Sequence, residues 1–143
     1  FNEVHDMYSR NDTVYCSTGP DGLFIFEYTD SVERTNSDST WKVFLPDMKL
    51  TTFGVVPGHN SDNYNHSSWL NAKSNILVSA DETHGAQLKV IELTGKDVPE
   101  TVAKFGEKSE SGSIPHNPFI LDNLVFISYY HLGLLVYDIF DKY

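Results

Sequence analysis

"NHSSWLNAKSNILVSADETHGAQLKVIELTG", residues 65–95, sets His66 three residues before Trp69, follows it with a polar turn and the apolar run "ILVS", and then reaches "LKVIEL". The same order of features recurs on either side of it. "VHDMYSRNDTVYCSTGPDGLFIFEYTD" (residues 4–30) and "PHNPFILDNLVFISYYHLGLLVYDIFD" (residues 115–141) open on His5 and His116, with Tyr8 and Phe119 standing where residue 69 is Trp. "VYCS" and "VFIS" end on Ser17 and Ser128, as "ILVS" ends on Ser79. "LFIFEY" and "LLVYDI" carry an acid at the fifth position, Glu27 and Asp138, as Glu92 does in "LKVIEL". A frame held this closely in three copies is an internal repeat.

The runs are short, rich in Val, Ile, Leu, Phe and Tyr, and bounded by Asn, Asp, Gly and Pro, so they read as strands. "RND", "NAKSN" and "LDN" are tight turns between neighbouring strands, while "TGPDG", "ADETHGAQ" and "YYHLG" turn the second strand into the third. "TWKVFLP" and "ETVAKFG" supply fourth strands in the first and second units. The expected architecture is all-β: a β-propeller segment of about three four-stranded antiparallel blades, spanning 1–62 with a long connection, 63–112, and an incomplete 113–143. Because a closed ring takes about four to eight blades, the remaining blades are expected from the same polypeptide or from another chain. A β-sandwich is the alternative fold. The sequence begins at Phe1 without a signal peptide, which suggests a processed chain or a piece of something longer.

Composition narrows the partners. In 143 residues, 10 Lys and Arg stand against 20 Asp and Glu, a formal charge of -10, which opposes binding to nucleic-acid phosphates and anionic membrane surfaces. The most apolar stretch, residues 124–140, is interrupted by His131, Gly133 and Asp138, so no transmembrane segment is expected. The single cysteine, Cys16, lies in an apolar run and reads as a buried thiol.

"HDMYSRNDTVY", "DGLFIFEYTD", "YNHSSWL", "ADETHGAQLKVIEL" and "SIPHNPFILDNLVFISYYHLGLLVYDIFD" together resemble the LVIVD-repeat proteins, especially the choice-of-anchor B family, over nearly the whole chain. "LFIFE", "LKVIE" and "LLVYD" stand where that family has its eponymous element. The resemblance implies a bacterial or archaeal β-propeller, exported and carried at the cell surface. The long stretch between the first and second units is the part that fits the family repeat least.

If the units are blades, the loop before the first strand and the loop joining the second and third share one face. His5, His66, His84, His116 and His131 would then lie on that face with Asp81 and Glu82, forming a ligand-binding surface. Imidazoles and carboxylates suit a zinc-like divalent metal ion, the cofactor such a cluster would take. The competing role for His5, His66 and His116 is structural, a strand-start histidine hydrogen-bonded to the serine that ends the next strand. "SADETHGAQ" is longer than its counterparts and alone joins two acids to a histidine. Tyr8, Trp69 and Phe119 read as packing between units. The serines lie in no nucleophile elbow. The expected function is an exported cell-surface module that binds or scaffolds a protein or glycan; the alternative is a metal-dependent hydrolase with Glu82 or Asp81 as general base.

Overall fold

A computed structural model describes residues 3–35, 42–56, 63–93, 99–107 and 112–139. Among these the regular structure is all strand, in three antiparallel sheets that follow one another in sequence. The first holds β1 (Asp6–Arg10), β2 (Thr13–Ser17), β3 (Leu23–Thr35) and β4 (Lys42–Val56) in that order. The second holds β5 (Asn65–Leu70), β6 (Ile76–Asp81), β7 (Leu88–Glu92) and β8 (Glu100–Phe105), and the third holds β9 (Ile114–Leu121), β10 (Leu124–Tyr130) and β11 (Gly133–Asp138). No helix among the described residues is long and apolar enough to cross a membrane.

Local chemistry sets the hairpins. Arg10 pairs with Thr13 across a two-residue loop in which Asn11 and Asp12 both take positive φ, 49° and 58°. Asn and Asp are the non-glycine residues that enter this region most readily, and such a loop matches the twist of its flanking strands. Asp122 (φ 52°) turns β9 into β10, and His131 (φ 71°) with Gly133 (φ 79°) turns β10 into β11.

In the first unit the third and fourth strands are much longer than the sequence runs suggest. β2 pairs with β3 only from Leu23 to Glu27, whereas the β3–β4 ladder continues to Thr35 and Lys42. The stretch between units is therefore largely a β-ribbon. Thr40 and Trp41, at the head of the expected fourth strand, lie outside the described residues. Pro46 hides the ladder from a sequence reading, since proline lacks an N–H and argues against a central strand. β4 is an edge strand of its sheet, where that missing donor is tolerated.

Packing between sheets explains the rest of the apolar pattern. Successive strand residues point to opposite faces. Leu77 and Ile91 of the second sheet accordingly join Tyr15, Leu23, Ile25, Leu70 and Leu93 in one core, with Tyr8 against it. Val78, Ala80 and Leu88 turn the other way, to Ile120, Val125, Ile127 and Tyr129, with Trp69, Phe105 and Tyr137 packed alongside. The middle sheet is thus covered on both faces, which is why "ILVS" and "LKVIE" do not alternate. The third sheet does alternate, and Phe119, Leu121, Leu134 and Val136 are exposed on it.

The leading strands meet across these junctions. β5 packs against β1 and β2, and β9 against β5 and β6. Gly19 and Asn65 exchange two backbone hydrogen bonds, 2.9 and 3.0 Å, tying the β2–β3 turn to the start of the next sheet. Only glycine suits that point: φ is +61°, and an added Cβ would stand 2.7 Å from the Tyr64 ring. Gly85 N donates to Ser113 O (2.9 Å) at the second junction. Tyr8, Trp69 and Phe119 stack in series, with ring centroids 4.5 and 4.8 Å apart. These three aromatics do pack between units. Cys16 is buried, and burial raises its thiol above the ordinary value.

Candidate functional site

Three histidines from three sheets converge in a row. His5 precedes β1, its N–H donating to the Ser17 carbonyl (2.8 Å) while Asp6 also faces Ser17 in the ladder. His66 falls at a shift in the β5–β6 register, between the Asn65–Asp81 and Ser67–Ala80 pairs. The β9–β10 register likewise shifts between Pro118–Ile127 and Pro115–Tyr129, setting His116 and Asn117 against Ser128 alone. Such extra residues break the two-residue alternation and re-aim a side chain. The His5 and His66 ring centroids are 4.3 Å apart, and those of His66 and His116 3.9 Å.

Glu82, just past β6, lies beside this row. Its Oε2 is 3.7 Å from His66 Nδ1 and its Oε1 3.7 Å from His116 Nε2. The Tyr130 hydroxyl donates to Glu82 Oε1 (3.0 Å), a bond that raises the phenol's pKa. At the other end Tyr64 meets His5 edge-on, with centroids 5.2 Å apart, and donates its hydroxyl to Glu3 Oε1 (2.7 Å). Tyr64, Glu3 and Asn117 had no signal in the repeat frame, because they sit at positions where the units differ. Tyr130 did have one: of two consecutive strand tyrosines one must face outward, and Tyr129 is the buried member while Tyr130 is exposed.

The remaining expected site residues are elsewhere. Asp81 is turned into the sheet, 1% exposed, where Lys89 Nζ reaches it at 2.6 Å and Asn65 Nδ2 donates to it at 3.2 Å. The shifted β5–β6 register gives Asp81 to Asn65 as its cross-strand partner and leaves the next residue, Glu82, to face the histidines. Asp81 is therefore a buried ion-pair partner, unavailable as a surface ligand or general base. His84 is exposed, with Nδ1 3.0 Å from Gly112 O, and His131 is exposed in the β10–β11 turn.

The expected histidine–serine bond forms in the first unit through the backbone, His5 N–H to Ser17 O, while in the other two units an asparagine meets the serine hydroxyl. Asn65 Nδ2 donates to Ser79 Oγ (2.7 Å), and Ser128 Oγ accepts from Asn117 N (3.2 Å). Ser17 and Ser79 are buried, a poor setting for nucleophiles.

His66 is the electrostatic centre of the row. His5 and His66 approach through their Nδ1 atoms at 2.8 Å, so a single proton serves the two facing nitrogens. Burial lowers the His66 pKa below the ordinary 6.5, and His116 and His5 add to this, while Glu82 and the Asn117 side chain oppose it. The folded state thus takes up fewer protons than the unfolded chain between the depressed value and 6.5. Stability should be fully present above pH 6.5, decline as the pH falls through that window, and level off below the depressed value. Urea midpoints measured from pH 8 to pH 5 test this. A profile unchanged by His66→Phe would show that another group governs it.

No protein-family model, no curated protein and no solved structure matches this chain.

Proposed function

We propose that the chain is a segment of a β-propeller of the LVIVD-repeat kind, exported to the cell surface, where it acts as a binding or scaffolding module for a protein or glycan. The observation that carries this reading is the side-by-side packing of β1, β5 and β9, which aligns His5, His66 and His116 in one row and Tyr8, Trp69 and Phe119 in another. Corresponding residues of successive units fall in register, as adjacent blades require. The histidine-bearing side combines a rigid strand frame with turns that differ from unit to unit, the usual division between scaffold and recognition. Tyr130, exposed beside Glu82, supplies an aromatic face with an acceptor next to it.

Binding to a panel of defined oligosaccharides and to immobilised surface proteins tests the reading. A ligand should be lost on Tyr130→Ala and retained on Val102→Ser, a substitution outside the histidine row. Ligand binding unchanged by Tyr130→Ala and His131→Ala would remove the ligand from this face.

A further inference from the structure

We propose that His5, His66 and Glu82 form a site for one divalent ion of the zinc class, assembled across the junction of the first two sheets. Their ligand atoms all lie within 4.8 Å of one another. Donors about 2.1 Å from a tetrahedral ion stand roughly 3.4 Å apart, and the 2.8 Å between the two Nδ1 atoms and 3.7 Å from His66 Nδ1 to Glu82 Oε2 bracket that spacing. Small side-chain rotations close the set. Two imidazoles with one carboxylate select a borderline ion such as zinc over magnesium or calcium, which prefer oxygen donors.

The outer contacts suit this set. His66 is 5% exposed with its Nε2 buried, and the Asn117 side chain bears on the ring. Coordination through both Nδ1 atoms changes the accounting. Each neutral ring then carries its proton on Nε2, the facing Nδ1 proton relocating there through solvent, and no net proton is released. The His66 Nε2–H would have Asn117 as its outer partner. Tyr130 already fixes Glu82 through Oε1, leaving Oε2 toward His66. Such outer hydrogen bonds orient ligands and raise metal affinity. The site joins residues from two sheets, so an occupied site would also hold the junction closed.

The site goes beyond the binding-module reading and stands without it. Zinc chloride titrated into chelator-stripped full chain should bind at one ion per chain by calorimetry and raise the Tm. His5→Ala, at an exposed residue that should leave folding intact, is expected to abolish both signals, and Glu82→Gln to weaken them. Tyr130→Phe should cost about tenfold in affinity. His84→Ala and His131→Ala should bind as the parent does. No saturable uptake, parental affinity in both His5→Ala and Glu82→Gln, or loss on His84→Ala would overturn the site. A Tm shift with magnesium or calcium but not zinc would overturn the ion class. Oligosaccharide or protein binding without zinc uptake would sink the metal site alone.

Discussion

Lys89→Ala is expected to destabilise the fold by about 3–5 kcal/mol, the usual cost of leaving a buried charge without its partner. Lys89 and Asp81 are 3% and 1% exposed, and their charged atoms meet at 2.6 Å between β6 and β7. Truncating the lysine leaves the Asp81 carboxylate with the Asn65 amide as its remaining partner in this network, too little to replace a cation. Removing both charges has a different consequence. Asp81→Val with Lys89→Leu exchanges an ion pair for apolar bulk in a sheet already covered on both faces, and such exchanges are often neutral or stabilising. Asn65 would still donate to Ser79 Oγ. Urea denaturation of the parent, both single variants and the double gives the coupling directly. A Lys89→Ala loss below about 1 kcal/mol would mean that the ammonium reaches solvent.

That pair also marks what the sequence could and could not disclose. In the repeat frame Phe24 and Leu135 hold the position of Lys89, while Gly19 and Tyr130 hold that of Asp81. The only unit with a lysine in its third-strand run is also the unit with an aspartate two residues after its serine. Complementary charges confined to one copy are a pairing signal, yet a turn rich in "DETH" reads as solvated, which puts Asp81 on the surface with Glu82. What separates them is the register shift at His66, which decides which of two adjacent acids faces inward. Bulges depend on backbone pairing and leave little trace in composition. The strands themselves were legible because short apolar runs between turn residues recur three times. The β3–β4 ribbon was not, since it belongs to one unit and contains Pro46. The row of His5, His66 and His116 could be anticipated from spacing, whereas its contacts with Glu82, Tyr130 and Tyr64 arise from how separate sheets meet.

Trp69→Ala is expected to cost about 2–3 kcal/mol, below the cost at a fully buried site because Trp69 is half-buried, and its effect on cooperativity tells more than its size. Trp69 stacks on Tyr8 of the first sheet and Phe119 of the third, so it is the middle member of a ladder crossing both junctions. Each aromatic pair contributes about 0.5–1.5 kcal/mol beyond area burial, and truncation removes both pairs at once. In a chain of stacked units, stability is approximately the sum of each unit's own stability and its contacts with neighbours. Weakening two junctions together should let the sheets unfold in separate steps. The urea transition of Trp69→Ala should therefore broaden, with a lower m-value than the parent, because less surface is exposed in each step. Trp69→Phe keeps a ring between Tyr8 and Phe119 and should retain the parental slope with a smaller loss. A core substitution inside one junction, Leu77→Ala, supplies the comparison: it removes about 2–5 kcal/mol but leaves the Trp69–Phe119 contact in place. If Trp69→Ala shifts the midpoint with no change in slope, the three sheets unfold as one body and the ladder is ordinary core. A reduced slope confined to Trp69→Ala would identify the aromatic row as the element that couples successive units.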